Sequence, residues 1–147
     1  MTRWLVCRPL TVISFRLVFT MFPFWNVAQH VGDIFLHAIV SVLVYYVGAR
    51  VCSFSVARAA LAAILFAIHP VHVEAVANIT GRAEALSALF SLLAILVYHS
   101  STASLSSQWS VDRFKWWISF QITSLLVICS TLSKETGTMA ARCVPPE

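Results

Sequence analysis

A chain of 147 residues can hold one ordinary soluble domain or a handful of membrane-spanning helices, and its composition selects the second. It is 59% hydrophobic and only 11% charged, with a mean hydropathy of +0.83, too little polar surface to wrap a soluble fold. The net charge of +4 is spread as single basic residues between apolar runs (Arg8, Arg50, Arg58, Arg113, Lys115), which reads as interface anchoring and excludes a nucleic-acid patch.

In chain order, Met1-Thr2-Arg3 opens like a signal peptide, but Arg8-Pro9 breaks the apolar region and no small-residue cleavage site follows. Residues 11–24 are apolar and aromatic, interrupted by Arg16 and ended at Pro23, so residues 1–30 are expected to lie in the membrane interface. Four apolar segments follow, at residues 31–49, 56–68, 85–98 and 116–132. A bilayer crossing takes about 20 helical residues. The second and third segments approach that length only by borrowing from the polar stretch between them, giving expected spans at 31–49, 56–72, 82–98 and 116–133 within a membrane region of residues 31–137. Residues 138–147 are a divergent tail. The architecture expected is an all-α, polytopic membrane helix bundle of about four transmembrane helices plus the interfacial segment.

The loops orient this bundle. Arg50 and Arg58 flank one connection, Arg113 and Lys115 lie in another, and Trp109, Trp116 and Trp117 bracket entry to the last span. The positive-inside rule puts both connections in the cytosol and the polar stretch outside or in a lumen, although Arg3, Arg8 and Arg16 weigh the other way. The four Cys (Cys7, Cys52, Cys129, Cys143) show no paired spacing, so neither a disulfide framework nor a zinc site is expected.

That polar stretch, residues 69–84, holds two His, two Glu and one Arg. Ionisable groups at bilayer depth are costly unless paired or hydrated, which makes the stretch a candidate site; the plain alternative is a polar hairpin between spans. His69, His72 and Glu74 have partial metal-ligand spacing, but the HExxH arrangement is missing and Pro70 makes the backbone irregular, so no metal is expected. Arg82 presents a guanidinium suited to gripping phosphate, and Glu84 suits the first turn of a helix. Lys134 either snorkels or pairs with Glu135, or joins Arg82 and the two His around an anionic headgroup. Asp33 and His37, at i and i+4, are expected to face the bundle interior. Asn78-Ile79-Thr80 fits the glycosylation pattern but is crowded between spans.

Arg8-Pro9-Leu10-Thr11, Phe15-Arg16-Leu17, His30, Leu36-His37-Ala38, His69-Pro70-Val71-His72 through Gly81-Arg82-Ala83-Glu84, and Leu132-Ser133-Lys134-Glu135 occur in the order and with the approximate spacing of one family. Together they resemble the amino-terminal membrane portion of the transmembrane and tetratricopeptide-repeat-containing proteins. The resemblance implies a multi-pass endoplasmic-reticulum protein with a glycosyltransferase C-type fold. Its implied activity is transfer of mannose from dolichyl-phosphate mannose to Ser or Thr of secretory-pathway proteins, with no cofactor. It also places the Arg8 segment, residues 69–84 and Lys134 together at the luminal face.

Lipid-phosphate or substrate binding is therefore expected of Arg8, His69, His72, Arg82 and Lys134, with Glu74, Glu84 and Glu135 in support. The catalytic residue is unassigned: the family's acidic luminal loop is expected upstream of Met1, and Asp33 stands where the family usually has Asn. The chain thus reads as a truncated product, a splice form or an incomplete gene model, with little transferase activity alone. Two other functions stand beside this one. A non-catalytic membrane scaffold suits the Ser-rich residues 100–110, and a small transporter would use Asp33 and His37.

Overall fold

The computed structural model describes residues 9–21, 26–72, 81–104 and 112–134. Every regular element among them is helical: α1 (Pro9–Met21), α2 (Asn26–Arg50), α3 (Val56–Ile68), α4 (Arg82–Ser104) and α5 (Asp112–Ser133). Three stretches are long and apolar enough to cross a bilayer, Gln29–Arg50, Arg82–Ala103 and Trp116–Ser133. The all-α, multi-pass membrane class expected from composition is what the chain adopts.

Local chemistry sets the helix ends. Pro9 opens α1, where a missing N–H costs nothing. α3 stops at Ile68 because His69 precedes Pro70 and is held extended, at φ −65° and ψ 128°. At 13 residues α3 is about 20 Å long, short of the roughly 30 Å hydrocarbon core. The second expected span, residues 56–72, is thus not one continuous crossing helix. Between α2 and α3 the chain reverses tightly: the Cys52 and Phe54 amides donate to the Val47 and Gly48 carbonyls at 3.2 and 3.0 Å, and Ser53 takes a positive φ of 52°.

Packing is inverted relative to a soluble protein. The buried apolar residues are mostly small (Val40, Ala59, Ala83, Ala94), whereas Ile34, Phe35, Leu61, Leu65, Leu125 and Ile128 point outward. Small residues let helices approach without a hydrophobic drive, and large apolar side chains turn to lipid. Gly48 and Ala59 show this between α2 and α3: a Cβ on Gly48 would stand 3.5 Å from the Ala59 methyl. α4 packs along α5, α2 packs on both α3 and α4, and α1 touches α2, α4 and α5.

Candidate lipid-phosphate site at one rim of the bundle

The start of α2, the end of α3, the start of α4 and the end of α5 converge at one end of the bundle. Among them lies a cavity of about 300 Å³ lined by Asp33, His37, Val40, Phe66, His72, Arg82, Glu84, Ala85, Ser87, Ala88, Ser91 and Lys134. Six ionisable side chains, Asp33, His37, His72, Arg82, Glu84 and Lys134, share this one space.

Its floor is a buried ion pair. Arg82 Nε donates to Asp33 Oδ1 at 2.5 Å, with both side chains about 5% exposed or less. A second guanidinium nitrogen donates to the Gln29 carbonyl at 2.8 Å, and the Phe15 ring covers the guanidinium face at 4.4 Å. Charges this deep are tolerated only when paired and hydrogen-bonded, and here both conditions hold. Gly32 packs beside the pair, where a Cβ would make an ordinary contact with Arg82 at 3.5 Å.

The lip is a second, more open pair. Lys134 Nζ donates to Glu84 Oε1, with the lysine side chain 24% exposed and the glutamate 50%. Glu84 lies in the first turn of α4, where the helix dipole favours an anion.

The wall nearest α3 is aromatic. Phe66 stacks against His72 at 4.1 Å between ring centroids and against His37 at 5.7 Å, and His69 lies 5.6 Å from His72. His37 Nε2 is 3.2 Å from the Ala67 carbonyl, so this nitrogen carries the proton. His72 lies beyond the end of α3. Burial, together with the neighbouring His69 and His37, lowers its pKa from the ordinary histidine value, while Glu84 pulls it back up.

The opposite wall is a serine cluster holding α4 to α5. Ser130 Oγ donates to the Ser87 carbonyl at 3.0 Å and lies 2.8 Å from the Ser91 hydroxyl and 3.1 Å from that of Ser87. Thr11 of α1 donates to the Ser133 carbonyl at 3.1 Å, fixing α1 to this end.

Of the residues expected from the sequence, His72, Arg82, Glu84 and Lys134 line the cavity. His69 stands outside it, exposed and against His72. Arg8, Glu74 and Glu135 fall outside the described residues. Asp33 and His37 face the interior as their spacing implied. Ser87, Ser91, Phe15 and Gln29 were not anticipated as site residues; only the i, i+4 spacing of the two serines hinted at a polar face. Among the described residues no group of three or more His, Cys, Asp or Glu is arranged to hold a metal ion.

The arrangement is a small, partly charged cavity at one end of a membrane helix bundle, with Lys134, the more exposed of its two described cations, at the lip. That defines the class: a multi-pass membrane protein with a polar pocket at one end of its helices. Protein O-mannosyl-transferase TMTC3 of Homo sapiens is 36% identical over 132 residues, covering 88% of this chain and 13% of that protein. Protein O-mannosyl-transferase F38B6.6 of Caenorhabditis elegans is 38% identical over 136 residues, 90% of this chain and 17% of its own length. Protein O-mannosyl-transferase TMTC1 of Mus musculus is 40% identical over 138 residues, 88% of this chain and 14% of its own length. Over nearly nine-tenths of its length the chain is thus homologous to proteins named as TMTC O-mannosyl-transferases, the family its motif series resembles. It spans less than a fifth of the length of these relatives. No family model matches the chain, and no solved structure matches it.

Proposed function

We propose that this chain is a membrane-embedded portion of a protein O-mannosyltransferase of the endoplasmic reticulum, and that its rim cavity holds the phosphate of a lipid-linked mannose donor at the luminal face. The observation that carries this reading is the Lys134–Glu84 lip above the buried Arg82–Asp33 pair, set between helices of a chain whose relatives are named for this transfer. In such a reaction an acceptor Ser or Thr hydroxyl loses its proton to a base and attacks the mannose anomeric carbon. The anomeric C–O bond to phosphate breaks, and its electron pair leaves on the phosphate oxygen. A fixed cation beside that oxygen stabilises the charge as it develops.

Lys134 is the residue proposed for that role. It is the more exposed of the two described cavity cations, and a lysine head reaches a phosphate as a point charge. His72 is proposed as a hydrogen-bond donor to the same group. Arg82, with donors directed to Asp33 and Gln29, is assigned as a positioning residue that holds α2 against α4. Arg8, outside the described residues, and His69, exposed beside His72, remain candidates. The two described cavity carboxylates, Asp33 and Glu84, are both committed to cations, so the base is assigned outside the described residues and the chain alone is proposed to transfer little mannose.

Photo-crosslinking in microsomes with a diazirine-bearing dolichyl-phosphate mannose tests this. Wild-type chain should be labelled, Lys134→Ala should lose labelling about fivefold or more, and Lys115→Ala should not. Equal labelling of Lys134→Ala would make the cluster structural and favour the non-catalytic scaffold.

A further inference from the structure

The formal charges of the acidic, lysine and arginine side chains lining the cavity, counted among the described residues, cancel: Lys134 and Arg82 against Glu84 and Asp33. They are not equally available. The Arg82–Asp33 pair is the less available of the two, because Asp33, the Gln29 carbonyl and the Phe15 face already hold the guanidinium at 2.5, 2.8 and 4.4 Å. What a ligand meets is Lys134 already bearing one carboxylate, at a lip where Glu84 is half exposed. A phosphate entering here shares one cation with one resident anion.

On the lipid-phosphate reading above, we propose that Glu84 is a charge filter: it makes the cavity a site for a monoanionic phosphodiester and sets it against a dianionic phosphomonoester. A diester brings one negative charge to the Lys134–Glu84 pair, which Lys134 can share between two anions. A monoester brings nearly two at neutral pH, since its second pKa is about 6. The extra charge then lies within a few ångströms of the Glu84 carboxylate, in a partly desolvated cavity where like charges repel strongly. A glycosyl-linked lipid carrier is a diester and the spent carrier a monoester. The same carboxylate thus favours entry of the loaded carrier and departure of the empty one.

The titratable and charged groups that line the cavity with Glu84 are Asp33 and His37 on α2, His72 after α3, Arg82 on α4 and Lys134 after α5, with His69 outside it against His72. Acid weakens the filter from both sides, by protonating His72 and by returning the monoester to a single charge.

The test is equilibrium binding to the full chain in maltoside detergent at pH 7.5, with a short-chain prenyl phosphate and its methyl diester as probes. Wild type should prefer the diester by about tenfold, and Glu84→Gln should cut that preference to under about twofold, chiefly by tightening the monoester. Glu84→Asp should keep the preference. Prenyl sulfate, a fixed monoanion without the methyl group, gives a measurement on wild type alone and should bind like the diester. An unchanged preference in Glu84→Gln, or prenyl sulfate binding as weakly as the phosphomonoester, would overturn the filter. Failure of wild type to bind any probe would overturn the lipid-phosphate reading itself. Phosphatidylglycerol distinguishes the source of the diester: displacement of the prenyl probe supports a site open to any lipid diester, and no displacement supports one confined to prenyl carriers.

Discussion

Arg82 carries more of the fold than its sequence position announces. Read along the chain it is an arginine at headgroup depth, well shaped for phosphate; in the structure it holds a carboxylate 49 positions away. Removing one partner of a buried pair leaves an uncompensated charge, at a cost of about 3–5 kcal/mol. Asp33→Ala should therefore lower the thermal midpoint of the detergent-solubilised chain far more than Lys134→Ala, whose pair is partly open to solvent and is worth about 1 kcal/mol or less. His72 provides a second measurement at this scale. Its pKa is depressed chiefly by burial, so the stability tied to its neutral form is present above the ordinary histidine range and lost as pH falls through it. The sign extends to its neighbours. Glu84→Gln should lower the His72 pKa further and His69→Gln should raise it, both read from the imidazole C–H resonance in a titration. Opposite shifts would remove the electrostatic contact between these side chains.

At the scale of elements, sequence periodicity and hydropathy place the long helices to within a few residues, because a bilayer demands continuous apolar length. What they place less well is where α3 ends. The borrowed residues that would have completed a second span lie across His69-Pro70, and the restriction on a residue before proline outweighs the apolar run. The i, i+4 spacing of Asp33 and His37 was enough to put both inside the bundle, since one helix face carries them. Nothing local could reveal that Arg82 meets Asp33, or that Ser87 and Ser91 meet Ser130, because those contacts join elements 39 to 49 residues apart. Serine is also common at helix surfaces, so its presence carried no warning of a buried cluster. Ser130→Val removes a hydroxyl that contacts two others and the Ser87 carbonyl. It should cost about 1–2 kcal/mol in the α4–α5 pairing. Reversible unfolding in mixed micelles measures it, and a variant as stable as wild type would show that small-residue packing alone holds the pair.

Over the whole molecule, the ends of the helices divide the chemistry. Asp33, His72, Arg82, Glu84 and Lys134 gather at one rim, while Arg50 and Arg58 lie at the far ends of α2 and α3. The basic α2–α3 connection therefore lies at the opposite end of the bundle from the mixed-charge cavity. The proposed binding of a lipid phosphate rests on that division, because a cavity at one membrane surface can meet only carriers and acceptors presented on that side. Cysteine accessibility measures the division most directly, using His72→Cys and Lys134→Cys placed singly in a chain whose native Cys7, Cys52, Cys129 and Cys143 have been replaced. In sealed microsomes a membrane-impermeant maleimide should find both positions protected until the vesicles are opened, whereas cysteine at Arg58 should react from outside at once. Labelling of positions 72 and 134 from opposite sides would contradict the shared rim and every role assigned to it.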